Sequence, residues 1–186
     1  MPARFFLLFT ALLFCSAARA EPIPQEVDSE FLDIPLSVAT SKPPLGILLT
    51  PESLAGDPPK LYVCNADKTE RATLVYYDEE PANNIIEINV EPVSARYTSC
   101  IQPRSSIKHF ISGKGIQLGL RREQVEKILG KPQKTHLQLD EVVLVYRLDS
   151  KTAAHFLQRH DAHAYFGQYH FRQGKLVRFN YGFELH

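Results

Sequence analysis

The sequence has no excess of positive charge, because its 186 residues contain 21 Lys and Arg against 21 Asp and Glu. Arg4 and Arg19 lie in the first twenty residues, which contain no acid, so the remainder carries two more acidic than basic side chains. A protein that binds nucleic acid through its phosphates needs clustered Lys and Arg. The balance therefore excludes an electrostatic nucleic-acid binder.

Long hydrophobic runs are also missing beyond residue 20. No window there approaches the roughly eighteen consecutive apolar residues that predict a transmembrane helix. Charged residues make up 23% of the chain, hydrophobic residues 44% and aromatic residues 10%. This composition is typical of a globular protein rather than a disordered one.

The sequence lacks the common motifs of enzymes. It contains no G-x-S-x-G, no H-E-x-x-H and no G-x-G-x-x-G after a predicted strand. The acidic pairs Glu79-Glu80 and Asp140-Glu141 lie beside Pro81 and at a strand start, where we interpret them as solvated turn residues. The sequence therefore predicts a non-enzymatic protein without a cofactor.

The first twenty residues predict a secretory signal peptide. Arg4 provides a positive start, residues 5–14 are almost entirely apolar, and Ala18-Arg19-Ala20 forms a small-x-small cleavage site. The alternatives are an uncleaved anchor and a lipoprotein anchored at Cys15, but the bulky Phe14 disfavours lipidation. We therefore expect cleavage after Ala20 and a periplasmic or secreted protein.

Cysteine is scarce after the predicted signal, where only Cys64 and Cys100 remain. In an oxidising compartment, two cysteines most simply form one disulfide. Their spacing excludes a C-x-x-C redox pair, and a metal site would need more soft ligands. We predict a structural disulfide between Cys64 and Cys100.

Proline is concentrated in residues 21–59, which hold eight of the thirteen prolines. Proline removes a backbone donor and biases the preceding residue toward extended geometry, so a long helix or a central strand is excluded here. Apolar residues such as Phe31 and Leu36 indicate more than a solvated linker. We predict an extended arm that lies over the folded body, with a partner as the alternative surface.

Residues 60–186 are predicted to form a single α+β domain with an antiparallel sheet. We divide it into a β-meander at 60–112 and a helix followed by a second meander at 113–186. One principal helix is predicted at 121–129, ended by Gly130 and Pro132. Residues 151–160 fit a short helix or a loop. Strand patterns occur at 61–64, 73–77, 86–90, 142–148, 165–171 and 176–183.

Aromatic residues are abundant in the predicted strands. They are Tyr76, Tyr77, Tyr146, Tyr165, Phe166, Tyr169, Phe171, Phe179, Tyr181 and Phe183. On the last strand, Val177, Phe179, Tyr181 and Phe183 share one side, which we interpret as the core side. The alternative is a groove that binds a ligand or partner against the proline-rich arm.

Four histidines lie in the C-terminal third of the chain: His155, His160, His163 and His170. Imidazole is a ligand that zinc and copper favour, so these four are the candidate metal ligands. No simple helix or strand gathers three of them on one face. We therefore interpret them as side chains of a loop and a strand edge, and predict no metal site.

The stretch from Gly115 to Pro132, GIQLGLRREQVEKILGKP, resembles a sequence line of the SmpA/OmlA (BamE-like) family. Glu123–Lys127, Leu129-Gly130 and Pro132 match that line. Val145-Tyr146 and residues 171–177 stand where the family has strands and its last hairpin. The resemblance covers residues 113–183, and the related β-lactamase-inhibitor-like domains share the pattern.

The resemblance implies a small α+β domain of a Gram-negative-type envelope that acts through contacts. The chain departs from the family by having Arg121 in place of Ser or Thr, by lacking the lipid-bearing cysteine, and by its disulfide-closed portion before the helix. The function we predict is an interaction module for another envelope protein, with outer-membrane assembly or envelope maintenance as the expected process. The alternatives are a periplasmic enzyme inhibitor and a metal-binding protein.

Overall fold

The computed structural model describes residues 27–36, 56–77, 84–94, 100–103 and 106–185. The predicted signal peptide, much of the proline-rich arm and the acidic pair Glu79-Glu80 lie outside these residues. Within the described part, neither helix has the length and apolar character needed to span a bilayer.

The described residues form nine β-strands and two α-helices. The strands are β1 (Glu30–Phe31), β2 (Ile34–Pro35), β3 (Lys60–Cys64), β4 (Glu70–Tyr76), β5 (Ile85–Pro92), β6 (Lys134–Gln138), β7 (Glu141–Asp149), β8 (Ala162–Arg172) and β9 (Lys175–Leu185). The helices are α1 (Arg122–Leu129) and α2 (Ser150–Arg159).

Seven of these strands form one sheet in the order β3-β4-β5-β9-β8-β7-β6. Every neighbouring pair is antiparallel. The meander β3–β5 and the meander β6–β9 are joined edge to edge by the pairing of β5 with β9. The predicted antiparallel α+β architecture is confirmed at this level.

Helix α1 begins one residue later than predicted. Arg121 occupies the N-cap position and its side chain caps nothing, as expected for a cationic group. The Oε1 atom of Gln124 accepts the N–H of Arg121 at 2.8 Å, so that donor is satisfied from inside the helix. Gly130 follows with φ of 79°, a conformation that favours glycine.

The segment that fitted either a helix or a loop forms a second helix, so the prediction of one principal helix is incomplete. Asp149 caps α2, because its Oδ1 accepts the N–H groups of Lys151 at 3.0 Å and Thr152 at 3.2 Å. Ala153 has non-helical angles (φ −149°, ψ 41°), so α2 is interrupted after its first turn.

The core lies on one face of the sheet. Alternate residues of the central strands, such as Ile88, Tyr146 and Tyr169, point to this face and are at most 1% exposed. Val125 and Leu129 of α1 are buried against the same core. The opposite face of the sheet carries mainly polar and charged side chains, among them those that concern the candidate site.

Residues 27–36 of the arm pack on the core face. Phe31 is fully buried, and its ring lies 5.7 Å from that of Phe110. The carbonyl of Glu30 accepts the N–H of Gly113 at 2.9 Å and the hydroxyl of Tyr181 at 2.5 Å. This part of the arm therefore lies over the body, as predicted.

The predicted core side of the last strand needs one correction. β9 has an extra residue, Val177, opposite the step from His170 to Phe171 in β8. This bulge turns Leu176 into the core, where it is 1% exposed, whereas Val177 is only partly buried. Phe179, Tyr181 and Phe183 are buried, as predicted.

The predicted disulfide between Cys64 and Cys100 is confirmed. The two Cα atoms are 5.6 Å apart, within the usual span of such a bridge. Ile101, the residue after Cys100, is held along β3 by two backbone hydrogen bonds. The N–H of Cys64 donates to the carbonyl of Ile101 at 3.0 Å, and the N–H of Ile101 donates to the carbonyl of Tyr62 at 2.9 Å. The bridge thus helps to cover the outer edge of β3.

Gly182 lies where β9 and β5 approach closely. It pairs with Glu87, and a Cβ atom at position 182 would lie 2.8 Å from the Cα atom of Glu87. We expect Gly182→Ala to lower the free energy of unfolding by about 2 kcal/mol, because two adjacent backbones must separate. Urea denaturation measures the loss. Gly167→Ala is the control, since a Cβ there first meets the Tyr169 side chain, at 3.2 Å. Equal losses in both variants would contradict this explanation.

Candidate functional site

The turns β6–β7 and β8–β9 and the end of β5 surround an open cavity of about 510 Å³. Its charged lining comprises Glu91, Asp140, Glu141, Arg172 and Arg178, and Ser94 and Leu139 also border it. This hairpin cavity lies on the polar face of the sheet. Arg178 and Glu91 are the sequence neighbours of the core residues Phe179 and Val90, and successive side chains of a strand point to opposite faces.

Glu141 forms the centre of an ion-pair cluster in the cavity wall. Its carboxylate accepts hydrogen bonds from the Nη2 groups of Arg172 at 2.8 Å and Arg178 at 3.3 Å, and one of its oxygens lies 3.1 Å from the Nδ1 atom of His170. Glu141 is 8% exposed, so its interpretation as a solvated turn residue is wrong. The cause is that β7 begins at this residue, and pairing with β8 brings its side chain beside His170 and Arg172.

Asp140, by contrast, stands in the turn with a side chain that is 65% exposed. Its carboxylate accepts a hydrogen bond from the Nε atom of Arg172 at 2.8 Å. Arg172 therefore spans both members of the acidic pair, one exposed and one buried. Ion pairs of this kind hold a guanidinium group in a fixed position at the cavity wall.

Burial lowers the pKa of the His170 imidazole, and the positive charge of nearby Arg178 lowers it further, while Glu141 opposes both effects. His170 is 5% exposed and does not line the cavity. The cavity wall consequently carries two guanidinium groups whose charges are balanced by Asp140 and Glu141.

Two leucines of the β6–β7 hairpin are more exposed than the other large apolar residues of the described ranges. Leu139, at the tip of the β6–β7 hairpin, is 94% exposed, and Leu137, in β6, is 72% exposed. Leu139 has φ of 56°, although turns with positive φ favour Asn, Asp or Gly. An exposed apolar residue in an unfavourable backbone conformation is a candidate for a contact surface.

The four candidate metal ligands are separated in the structure. His155 is exposed on α2, and His160 donates from Nδ1 to the carbonyl of Leu36 at 3.1 Å. His163 lies 3.3 Å from a carboxylate oxygen of Glu184, whereas His170 contacts Glu141. Within the described part of the chain, no three His, Cys, Asp or Glu side chains come together as metal ligands.

A second, smaller cavity of about 400 Å³ lies where the arm meets the body, lined by Asp28, Glu30 and Lys114 among others. Both carboxylate oxygens of Asp28 lie 3.2 Å from the backbone nitrogen of Lys114, which donates to them. Burial raises the pKa of Asp28 to about 6, against the opposing effects of hydrogen bonds from Ser112 and the backbone. This carboxyl group therefore belongs to the arm contact.

Sequence patterns did not identify the residues of the hairpin cavity. Arg172 and Arg178 belong to strands in which apolar residues predominate, and their common partner Glu141 is 31 and 37 residues away from them along the chain. Comparison of the chain with protein-family models, with curated proteins and with solved structures gives no match.

Proposed function

We propose that the protein is a non-enzymatic exported envelope protein that acts by binding another protein at the hairpin cavity. The observation that carries this proposal is a polar recess with two fixed arginines beside a fully exposed leucine. Protein interfaces are enriched in arginine and combine apolar contacts with a polar rim. Because Asp140 and Glu141 already hold the guanidinium group of Arg172, and Glu141 also pairs with Arg178, a partner binds these groups without first ordering them.

Two observations support export as part of this proposal. A disulfide between Cys64 and Cys100 suits an oxidising compartment such as the periplasm. The first twenty residues, which lie outside the described ranges, carry the sequence pattern of a signal peptide.

The order of elements supports a BamE-like or β-lactamase-inhibitor-like C-terminal part. Helix α1 is followed by the meander β6–β9, as the resemblance to the SmpA/OmlA family implies. The insertion of α2 between β7 and β8, and the joining of β3–β5 to β9, are features of this chain. On this basis we place the proposed role in outer-membrane assembly or envelope maintenance.

Capture from cross-linked envelope extracts tests the proposed function. We expect the tagged wild-type protein to recover a stoichiometric partner, which is then identified and bound again in purified form. Ser94→Trp fills the hairpin cavity without removing a contact of Glu141, so it should reduce recovery at least about tenfold.

The matched control is Ser150→Trp, at the exposed start of α2 and at the far end of β7 from the cavity. It adds the same bulk and should leave recovery unchanged. Equal recovery by Ser94→Trp and wild type would rule out the hairpin cavity as the contact site. Recovery of a single soluble enzyme, inhibited on binding, would favour the enzyme-inhibitor alternative.

A further inference from the structure

One ring nitrogen of His170 lies beside two charged groups of the hairpin cavity wall. Its Nδ1 atom is 3.1 Å from a carboxylate oxygen of Glu141 and 3.1 Å from the Nη2 atom of Arg178. The Nη2 group of Arg178 also donates to that same oxygen of Glu141, at 3.3 Å. These three atoms therefore form a triangle, each atom within hydrogen-bonding reach of the other two.

The triangle holds two hydrogen bonds at a time, never three. In a neutral imidazole, Nδ1 either carries a hydrogen or accepts one, whereas in an imidazolium both ring nitrogens are donors. Without a hydrogen, Nδ1 accepts a hydrogen bond from Arg178. With a hydrogen, Nδ1 donates to Glu141 and faces a second donor, the Nη2 group of Arg178. Proton uptake by His170 leaves only this second arrangement, so the hydrogen bond between His170 and Arg178 is excluded.

Proton uptake also changes the charge of the wall. Two arginines and two carboxylates balance one another there while His170 is neutral. An imidazolium adds a positive charge 3.1 Å from Arg178, and both cations then share the one oxygen of Glu141 that Arg172 does not contact. Like charges repel at this distance, and more strongly away from water; His170 is 5% exposed.

The other charged groups around His170 do not neutralise the imidazolium. His136 lies on β6, beyond Val143 of β7, which pairs with both histidines, and its charge also disfavours a protonated His170. Glu91, the third carboxylate of the cavity lining, already forms an ion pair with Arg71 of β4. The added positive charge therefore stays in the cavity wall.

Arg178, and not Arg172, is the side chain that the added charge displaces. Arg172 is held at two atoms, since its Nε contacts Asp140 and its Nη2 contacts Glu141, each at 2.8 Å. Arg178 makes its contacts through Nη2, and its buried Nε atom has no hydrogen-bond partner among the described residues. The Arg178 side chain is 44% exposed and borders the cavity, so displacement from His170 carries it into that space.

We infer that proton uptake by His170 switches the hairpin cavity from a balanced wall to a positive one. The imidazolium keeps its contact with Glu141, and the guanidinium group of Arg178 leaves His170 and presents its donors to the cavity. A guanidinium group with unused donors forms paired hydrogen bonds with a carboxylate. The cavity therefore binds an acidic side chain of its partner more tightly in acid than at neutral pH.

This inference rests on the proposed function, because it names the group of the partner that the cavity binds and the condition that favours binding. Burial and the charge of Arg178 lower the pKa of His170 from its usual 6.5, although Glu141 opposes them. The switch therefore operates in mildly acidic solution.

A nuclear magnetic resonance titration of the exported protein from pH 8 to pH 5 tests the switch without a partner. We expect the Nε signal of Arg178 to shift with the same midpoint as the imidazole signals of His170, because one proton moves both groups. His170→Gln keeps a polar side chain that takes up no proton, so its Arg178 signal should not follow the pH. His163→Gln, at the exposed ion pair with Glu184, is the matched control and should leave the Arg178 titration unchanged.

An Arg178 signal that stays constant while His170 titrates overturns the switch, as does one that shifts equally in His170→Gln. The comparison of midpoints uses the wild type alone, so it decides the question even where the variant does not fold.

Capture of the partner at pH 5.5 and at pH 7.5 tests the effect of the switch on binding. Wild type should recover at least about threefold more partner at pH 5.5, since one exposed ion pair contributes about that factor, whereas His170→Gln should recover equal amounts. The same ratio in both proteins, or lower recovery by wild type in acid, overturns the inference. Recovery that Ser94→Trp leaves unchanged at both pH values contradicts the proposed function instead, and the Arg178 titration still decides whether the switch exists.

Discussion

Removal of the Cys64–Cys100 disulfide is expected to lower the free energy of unfolding by about 4 kcal/mol. The bridge joins residues 36 positions apart, and the loss of that loop closure from the unfolded chain gives this value in the chain-entropy model. The structure adds a local effect, because the bridge holds Ile101 along β3 and Cys64 is fully buried. Urea denaturation of the variant with both cysteines changed to alanine measures the loss.

Wild-type protein unfolded in the presence of a reductant provides the control for this prediction. It should follow the same denaturation curve as the double variant, because both proteins lack the cross-link. The two differ only in the thiol groups, which the variant does not have. A loss below about 1 kcal/mol would mean that the reduced chain retains structure that the model of loop closure ignores. Proteolysis near Ile101 should increase in parallel, since that residue loses its anchor.

Local pattern was sufficient to predict the elements whose residues are buried on one side. β5 alternates apolar and polar residues, and α1 carries Val125 and Leu129 at helical spacing before Gly130. Both elements lie within one or two residues of their predicted bounds. The Cys64–Cys100 bridge was predictable as well, because only two cysteines remain after the predicted signal peptide.

Elements without an apolar pattern were not predictable in this way. β6 is fully exposed, so its sequence, KTHLQ, carries no period-two signal, and only its pairing with β7 makes it a strand. The burial of Leu176 depends on the bulge at Val177, which shifts the alternation of β9 by one residue. Neither feature is encoded in a short window of sequence.

The hairpin cavity was unpredictable for a related reason. Its cluster joins Glu141 on β7 with Arg172 and Arg178 on both sides of the β8–β9 turn. Charged residues in separate segments reveal no partner until the strand order is known. The same strand order places β6 at one edge of the sheet.

The contact between the arm and the body is expected to weaken as the pH rises from about 4 to about 6. Asp28 in the arm is 1% exposed, and its carboxylate accepts the backbone N–H of Lys114. Burial raises its pKa from 3.8 to about 6, although Ser112 and Lys114 stabilise the charged form. The other titratable groups around it are Glu30 in the arm and the hydroxyls of Tyr165, Tyr169 and Tyr181 in the sheet.

The direction follows from linkage between proton binding and folding. Between pH 3.8 and about 6 the folded protein binds this proton more tightly than the unfolded chain, so its stability falls as the pH rises through that range. A pKa shift of this size lowers the free energy of unfolding by about 3 kcal/mol, and the loss is complete above pH 7. Asp28→Asn keeps the shape and removes the charge, so at pH 8 this variant should be more stable than wild type.

The decisive quantity is the stability difference between Asp28→Asn and wild type, measured by urea denaturation at pH 4, 6 and 8. It should be small at pH 4, where Asp28 is protonated, and grow to as much as about 3 kcal/mol at pH 8. Asp33→Asn, an exposed change in the same arm, should show no such growth. A constant difference across the three pH values would mean that Asp28 is charged throughout, with the donors Ser112 and Lys114 outweighing its burial. Because the arm covers Tyr181 and the core beneath it, any loss of stability at Asp28 acts on the whole domain.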